Sequence, residues 1–305
     1  MSGGVSAPLP FIVEAHRRRK NTATHPIFRK TLFSVEKHKV TMASLAQRLG
    51  VSLFSLYISV LAIFLNRWSS FRTVTIGIAV SNRETVPGID QIGCSIISTV
   101  PVVVPVEHDG GPSLKAVASR AAHAVLAAMD NILPLSDIAE ATGVGNPEGL
   151  NGLFQVVMVG SPSITGGSLA GDSVDPVASV AGTQAMLPIA LRLMLDGGMR
   201  SEFEFDGSMF ADDWATAFAR QFDRLVEAVA TSAADTSVLS LPIFNDADKR
   251  RLIRDWNEGT LPADQHVVDE DTVHSLVMQA RTTVGDVAPA VLDPSTQQVN
   301  IGHIS

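Results

Sequence analysis

The sequence predicts an α/β sandwich in which helices pack on a mixed β-sheet, and three observations predict it. Short β-branched runs alternate along the chain with helix-patterned runs, the order that layers helices over a sheet. One run, TVTIGIAV at 73–80, is almost wholly apolar, as a buried strand is. MLPIALRLML, then Asp196-Gly197-Gly198, then MRSEFEF reads as a hairpin: the turn residues accept positive φ, and the second arm alternates polar with apolar. The chain has 305 residues, 46% hydrophobic and 18% charged, which supplies a real core and excludes a wholly disordered chain.

In chain order, Thr41 is placed to cap a helix through MASLAQRL, and Gly50 to end it. Ser52 caps the next helix, which runs to about Arg67. Ser52, Ser55, Ser59, Ala62 and Asn66 fall on one narrow stripe of it, and its other faces are large and apolar. That pattern predicts a helix buried nearly all round. The apolar run within it, residues 51–65, is interrupted by serines and too short for a membrane span. After the strand at 73–80, SNRETVPG turns, and IGCSIISTVPVVVPV at 92–106 is a second strand. Pro101 and Pro105 mark it as an edge strand or a bulged one. An Ala-rich helix follows from Gly111, then a shorter helix in LPLSDIAEATG, then a strand at 153–160, LFQVVMVG. SPSITGGSLAGDSVDPVAS is a Gly/Ser-rich loop. The hairpin comes next, and MFADDWATAFARQFDRLVEAVA from Met209 is a long amphipathic helix with acids in its first turn.

Net charge is −8, unevenly spread: residues 1–40 carry eight Lys/Arg against two Asp/Glu. The cluster Arg17-Arg18-Arg19-Lys20 reads as part of a solvated terminal segment, since no aromatic residues are interleaved to stack on nucleic acid. A single cysteine, Cys94, allows no internal disulfide and no cysteine-built metal site. The first twenty residues place charge after the apolar stretch, the reverse of a secretory signal, so the expected location is cytoplasmic.

The order of segments resembles the C-terminal half of the condensation domain of nonribosomal peptide synthetases, over roughly residues 25–240. TIGIAVSNRE (75–84) is similar to the family's strand-turn VGxPVANR, and IGCSIISTVPVVV (92–104) to IGxFVNTLxxR. AMDNILPLSDIAEATG (128–143) sits where the family has a His-Gln-Asp-x-Pro-Phe segment, and GLFQVVMVG (152–160) resembles NPLFQVMF. LPIFNDADKRRLIRDWNEGT (241–260) resembles the link to an adenylation domain, and TVHSLVMQARTTVGDVAPAVL (272–292) that domain's first helix and strand. The resemblance implies a chloramphenicol-acetyltransferase-like two-layer sandwich, one subdomain of a V-shaped pair. The expected organisation is a basic segment at 1–24, the C-terminal subdomain at 25–238, a linker at 239–271 and the start of an adenylation domain at 272–305. In the family, a tunnel between subdomains receives two substrates on the phosphopantetheine arms of carrier domains, and the acceptor amine attacks the donor thioester. The implied partners are those carriers, the N-terminal half of the domain and the downstream adenylation domain, with no nucleic acid and no membrane.

The family's HHxxxDG histidine belongs to the N-terminal subdomain, and this chain has eight histidines but no His-His pair. No catalytic residue, metal ligand or cofactor is therefore expected within it. Ser81, Asn82, Ser98, Thr99 and Gln155 are the candidates for lining the tunnel. Ser98 stands where the family has asparagine, Met129-Asp130 where it has His-Gln, and Met186-Leu187-Pro188 where a charged-aromatic start is usual, which is compatible with a diverged or non-catalytic domain.

Three other patterns carry little. His108-Asp109-Gly110 lacks the preceding histidine and the spacer. AGDSVDP (170–176) approximates a carrier signature, but its Pro and Gly context argues against the helix that serine needs. Gly143, Gly145 and Gly149 precede a strand instead of a helix N-terminus, so they make no phosphate cradle. Two alternatives remain beside the synthetase half: a non-catalytic condensation-like module that recruits a carrier or tailoring enzyme, and a free-standing acyltransferase. A half-domain also exposes the apolar wall its partner covers, so association is expected.

Overall fold

A computed structural model describes residues 8–19, 26–81, 97–107, 111–144, 151–161, 168–169, 172–173, 187–194, 201–250, 289–291 and 299–300. The small-residue helix, α4 (Leu53–Ser69), is buried without a break from Ser55 to Asn66. The Ser52 hydroxyl caps it by accepting the Ser55 N–H at 3.0 Å. Its polar stripe is satisfied locally: Ser59 donates to the Leu56 carbonyl at 2.6 Å, and Asn66 to the Phe71 carbonyl at 2.6 Å. That is how the small polar side chains of the stripe are buried with partners.

Upstream, α1 is Pro10–Arg17, α2 Phe33–Lys37 and α3 Lys39–Leu49. Here α3 starts two residues before Thr41, because α2 runs into it through His38; Thr41 sits inside the first turn and caps nothing. Gly50 ends α3 in the left-handed region at φ 70°, as its sequence position predicts.

The main sheet joins β1 (Ile27–Thr31), β2 (Thr73–Ser81), β3 (Ile97–Pro105), β4 (Val156–Ser161), β7 (Ile189–Met194) and β8 (Glu202–Asp206) in the order β1-β8-β7-β4-β2-β3. It is mixed: β4 runs parallel to β2 and β7, and the other pairs are antiparallel. β3 is an edge, as its prolines require. A separate pair, β5 (Ser168–Leu169) with β6 (Asp172–Ser173), lies in the stretch read as plain loop.

Direct partners in a ladder share a face. Val74, Ile76 and Ile78 of β2 therefore face the same way as Val104, Val102 and Val100 of β3, and all are buried. Phe203 and Phe205 of β8 join them in one core with α4, α5 (Leu114–Asp130) and α7 (Asp212–Ala230). An aromatic cluster fills it, with Phe64 edge-on to Phe218 at 4.7 Å and Phe203 edge-on to Phe222 at 5.1 Å. Each such ring contributes about 1.5–3 kcal/mol by leaving water.

The N-terminal segment is not a solvated tail over its described part. Ile12 of α1 is fully buried, and the Phe11 ring lies 5.5 Å from Trp68 and 6.0 Å from Trp214. Of the basic cluster, Arg17 and Arg18 stay exposed, Arg18 pairing with Glu14 on its own helix, while Arg19 reaches the buried Asp206 carboxylate at 3.4 Å and the Ser208 hydroxyl at 3.2 Å. Charge count hid the apolar face made by Leu9, Phe11 and Ile12.

The far boundary also moves. After a 3₁₀ turn at Val238–Ser240, Leu241 and Ile243 are buried, so core packing continues past 238 into what reads as linker. The Arg67 guanidinium donates to the Val238 carbonyl and holds this strap, and burial lowers its affinity for its proton. Contacts divide the chain into Met1–Asn245 and Asp246–Ser305. The described part of the second unit is α8 (Asp246–Arg250) and the antiparallel pair β9 (Pro289–Val291) with β10 (Val299–Asn300). The helix expected at the start of 272–292 lies outside the described residues.

Candidate functional site

Three of the five tunnel candidates meet at one end of the β2–β3 ladder. The rungs there are Ser81 opposite Ile97, Val80 opposite Ser98, and Ala79 opposite Thr99. Ser98 and Thr99 are half-buried and, as neighbours on a strand, belong to opposite faces. Asn82 lies outside the described residues.

Gln155 is elsewhere. Gly77 pairs with Val157, which puts Gln155 level with Thr75, six positions from Ser81 along β2, or about 20 Å at roughly 3.3 Å per residue. Its side chain is 3% exposed. Its carbonyl oxygen accepts the Leu9 N–H at 3.0 Å, and its amide donates to the Asn151 carbonyl at 2.7 Å. Gln155 therefore ties the approach to α1 to the loop before β4, and presents no free group to a tunnel.

Beside it, the sheet gives up a side chain. A Cβ on Gly77 would stand 2.5 Å from the Phe154 ring, so glycine is what lets the ring lie against β2. Phe154, Leu153 and Val157 are buried but lie outside the main core.

An ion network on β1, β7 and β8 escaped the sequence reading. Arg29 lies 3.0 Å from Glu204 and 3.5 Å from Glu202, and Arg192 lies 3.1 Å from Glu204. The register places Arg29 opposite Glu204 and Arg192 opposite Glu202, on the side of the sheet away from the phenylalanines of β8. Burial and the neighbouring Glu204 push the Glu202 carboxyl above its usual range, against the pull of both arginines. The signal was present in EFEF, whose alternation puts both acids on one face, but partner strands are not written in it.

Along the free edge of β3 runs an open groove of about 340 Å³, lined by Val100, Pro101 and Val103 with Ala124, Ala128 and Ile138. Ala124 and Ala128 come from α5, and Ile138 from α6 (Leu135–Thr142).

The described histidines are His16, His38 and His123, and none lies on the β2–β3 ladder. His38 is 3.7 Å from Glu227, and His123 bonds the Ser119 carbonyl of its own helix at 2.7 Å. Ser173 pairs in β6, and the residues that follow it lie outside the described ones. Gly143 closes α6 at φ 64°, the wrong helix end for an anion. Gly145, Gly149 and 108–110 lie outside the described residues. Among the described residues no group of three or more His, Cys, Asp or Glu makes a cation site, and no single helix is long and apolar enough to cross a membrane. Among the described residues, the ladder end carries the half-buried Ser98 and Thr99 and no histidine.

Helices over a six-stranded mixed sheet give an α/β fold of the chloramphenicol-acetyltransferase type. Residues 7–253 match the condensation domain family, and the chain belongs to it. That span begins before α1 and includes the strap, in agreement with the packing and wider than the 25–240 of the motif resemblance. A linear gramicidin synthase of Brevibacillus parabrevis is 19% identical over 248 residues, covering 80% of this chain and 5% of the synthase. The X-domain from teicoplanin biosynthesis superposes with a TM-score of 0.61 at 17% identity, over 77% of this chain and 57% of that one. The first condensation domain of the calcium-dependent antibiotic synthetase, solved with a substrate analogue, gives 0.60 at 16%, over 79% and 51%. The chain thus spans about half the length of these solved domains and a small part of the synthase.

Proposed function

We propose that this chain forms the acceptor-side half of a condensation domain in a nonribosomal peptide synthetase, and supplies one wall of the tunnel where carrier-bound aminoacyl and peptidyl thioesters are joined. The observation that carries the reading is that Ser81, Ser98 and Thr99 fall at the same end of the β2–β3 ladder, with Thr99 on the face away from the helices that cover Val100 and Val102. Half-buried hydroxyls and amides at strand ends suit the amide-bearing phosphopantetheine arm that brings a substrate. Holding two tethered reactants together removes much of the entropic barrier to their reaction. The imidazole that aids amine attack comes from the other half, since no His-His pair occurs in this sequence. This half alone binds and orients without turnover. Its partners are carrier domains, the other half of the domain and an adenylation domain.

The test is titration with a carrier whose arm bears an aminoacyl group through a stable amide. Thr99→Arg, placed to obstruct the wall, is expected to weaken binding of the loaded carrier at least about fivefold relative to the unloaded one. Equal binding of loaded and unloaded carriers by both proteins contradicts the reading. A second reading, a non-catalytic recruiting module, is favoured by the similarity to the X-domain, which has also been solved in complex with OxyB. It predicts carrier binding that is indifferent to the loaded group.

A further inference from the structure

We propose that Arg192 and Glu202 form a subsite for a peptide amide of the tethered substrate, so that the chain read on this wall is peptidyl. The subsite rests on the reading that the ladder end takes the carrier's arm.

Strand register brings the pair into line with that end. Arg192 is opposite Glu202, Val159 opposite Arg192, and Ala79 opposite Thr99. Gly77 pairs with Val157, so Ala79 comes level with Val159 one alternation further on. Glu202, Arg192, Val159, Ala79 and Thr99 therefore make one row across the sheet, on the face turned away from Val100 and Phe203. All five are half-buried. The neighbouring row is closed, since Phe154 lies on Gly77 and Val157 is buried. Three strand spacings separate Arg192 from Thr99, about 14 Å at ~4.8 Å each. Only Val159 and Ala79 stand between them, and about four extended residues of a chain cover that span.

The far end of the row is under-bonded. Glu204 takes both arginines, Arg29 at 3.0 Å and Arg192 at 3.1 Å. Glu202 is left with Arg29 at 3.5 Å, and among the described residues its carboxylate accepts no hydrogen bond. The Arg192 Nε stands close to Glu204 but is not aligned to donate to it. The side chains of Arg192 and Glu202 remain 31% and 21% exposed, enough for a ligand to reach. Two arginines and two glutamates cancel, so the cluster selects neither a free cation nor a free anion. It suits a neutral group that both accepts and donates, with its carbonyl on the guanidinium and its N–H on the Glu202 carboxylate. A backbone amide is that group, and a chain lacking the N–H leaves the carboxylate without its donor.

The carrier's arm holds amides of its own, so the test separates the two sources. The probes are pantetheine alone, pantetheine bearing an N-acetyl-tetra-alanyl chain through a stable amide, and the same probe with lactyl esters in place of the alanyl amides. Each is titrated into the whole chain by ligand-observed NMR. The tetra-alanyl probe is expected to bind at least about fivefold more tightly than the lactyl one. Arg192→Met with Glu202→Met removes one charge of each sign and leaves Arg29 paired with Glu204. It should abolish that preference while pantetheine binds as before. The probe comparison on the native chain decides the matter even if this variant melts early. Pantetheine binding with no preference between the two chains, or a preference kept by the folded double variant, would overturn the subsite and leave the ladder-end reading in place. No binding of any probe would overturn both.

Discussion

At the scale of single residues, two positions show how the fold spends side-chain space. Gly77 is glycine because the Phe154 ring occupies the place of its Cβ. Gly77→Ala is expected to destabilise the domain by about 1–3 kcal/mol, the cost of overpacking, read by urea denaturation. Phe154→Leu should recover part of that loss in the double variant, since residues in contact couple. Glu202 shows the electrostatic counterpart. Its carboxyl is raised mainly by burial, so the folded chain binds that proton more tightly than the unfolded chain does. This contribution favours the fold below the ordinary carboxylate value and fades as pH rises through the raised one. Glu202→Gln removes the dependence: its melting temperature should gain on the native protein's between pH 4 and pH 7, and a constant gap contradicts the assignment. Neither feature was legible in the sequence. TVTIGIAV names a strand but not what lies against its glycine, and EFEF names a face but not the arginines opposite.

At the scale of elements, periodicity and capping carried well where local chemistry decides. Ser52 caps α4, Gly50 ends α3 left-handed, and the prolines of β3 put it at an edge. Local chemistry failed at the margins, where packing decides. The Thr41 cap lost to continuity with α2, and α1, read as solvated charge, docks through Phe11 and Ile12. Phe11→Ala tests that docking. The ring is half-buried, so about half of the roughly 3–5 kcal/mol of a fully buried phenylalanine is expected. Trp68 and Trp214 lie within 6.0 Å of it and should report the loss as a shift in fluorescence. Unchanged emission and stability would restore the tail reading. The strap is a second element that tertiary contacts decide. A methyl on Gly111 meets the Ser237 hydroxyl, and Gly111 already holds φ 65°. Gly111→Ala should therefore expose 232–243 to protease while the sheet stays intact.

At the scale of the whole molecule, the family was legible because its motifs keep their order, even where each is weak. Of the tunnel candidates, Ser81, Ser98 and Thr99 fall at one ladder end, while Gln155, chosen for its motif, is bound internally. A motif records which residues recur, and burial decides what each is free to touch. The central claim is that this half orients substrates and the other half supplies the imidazole. A single-turnover condensation assay with two loaded carriers tests it directly, run with this chain, with a separate polypeptide carrying an HHxxxDG half, and with both. Peptide product in the mixture alone is the predicted result. Product from this chain by itself, at the rate of the mixture, would contradict it.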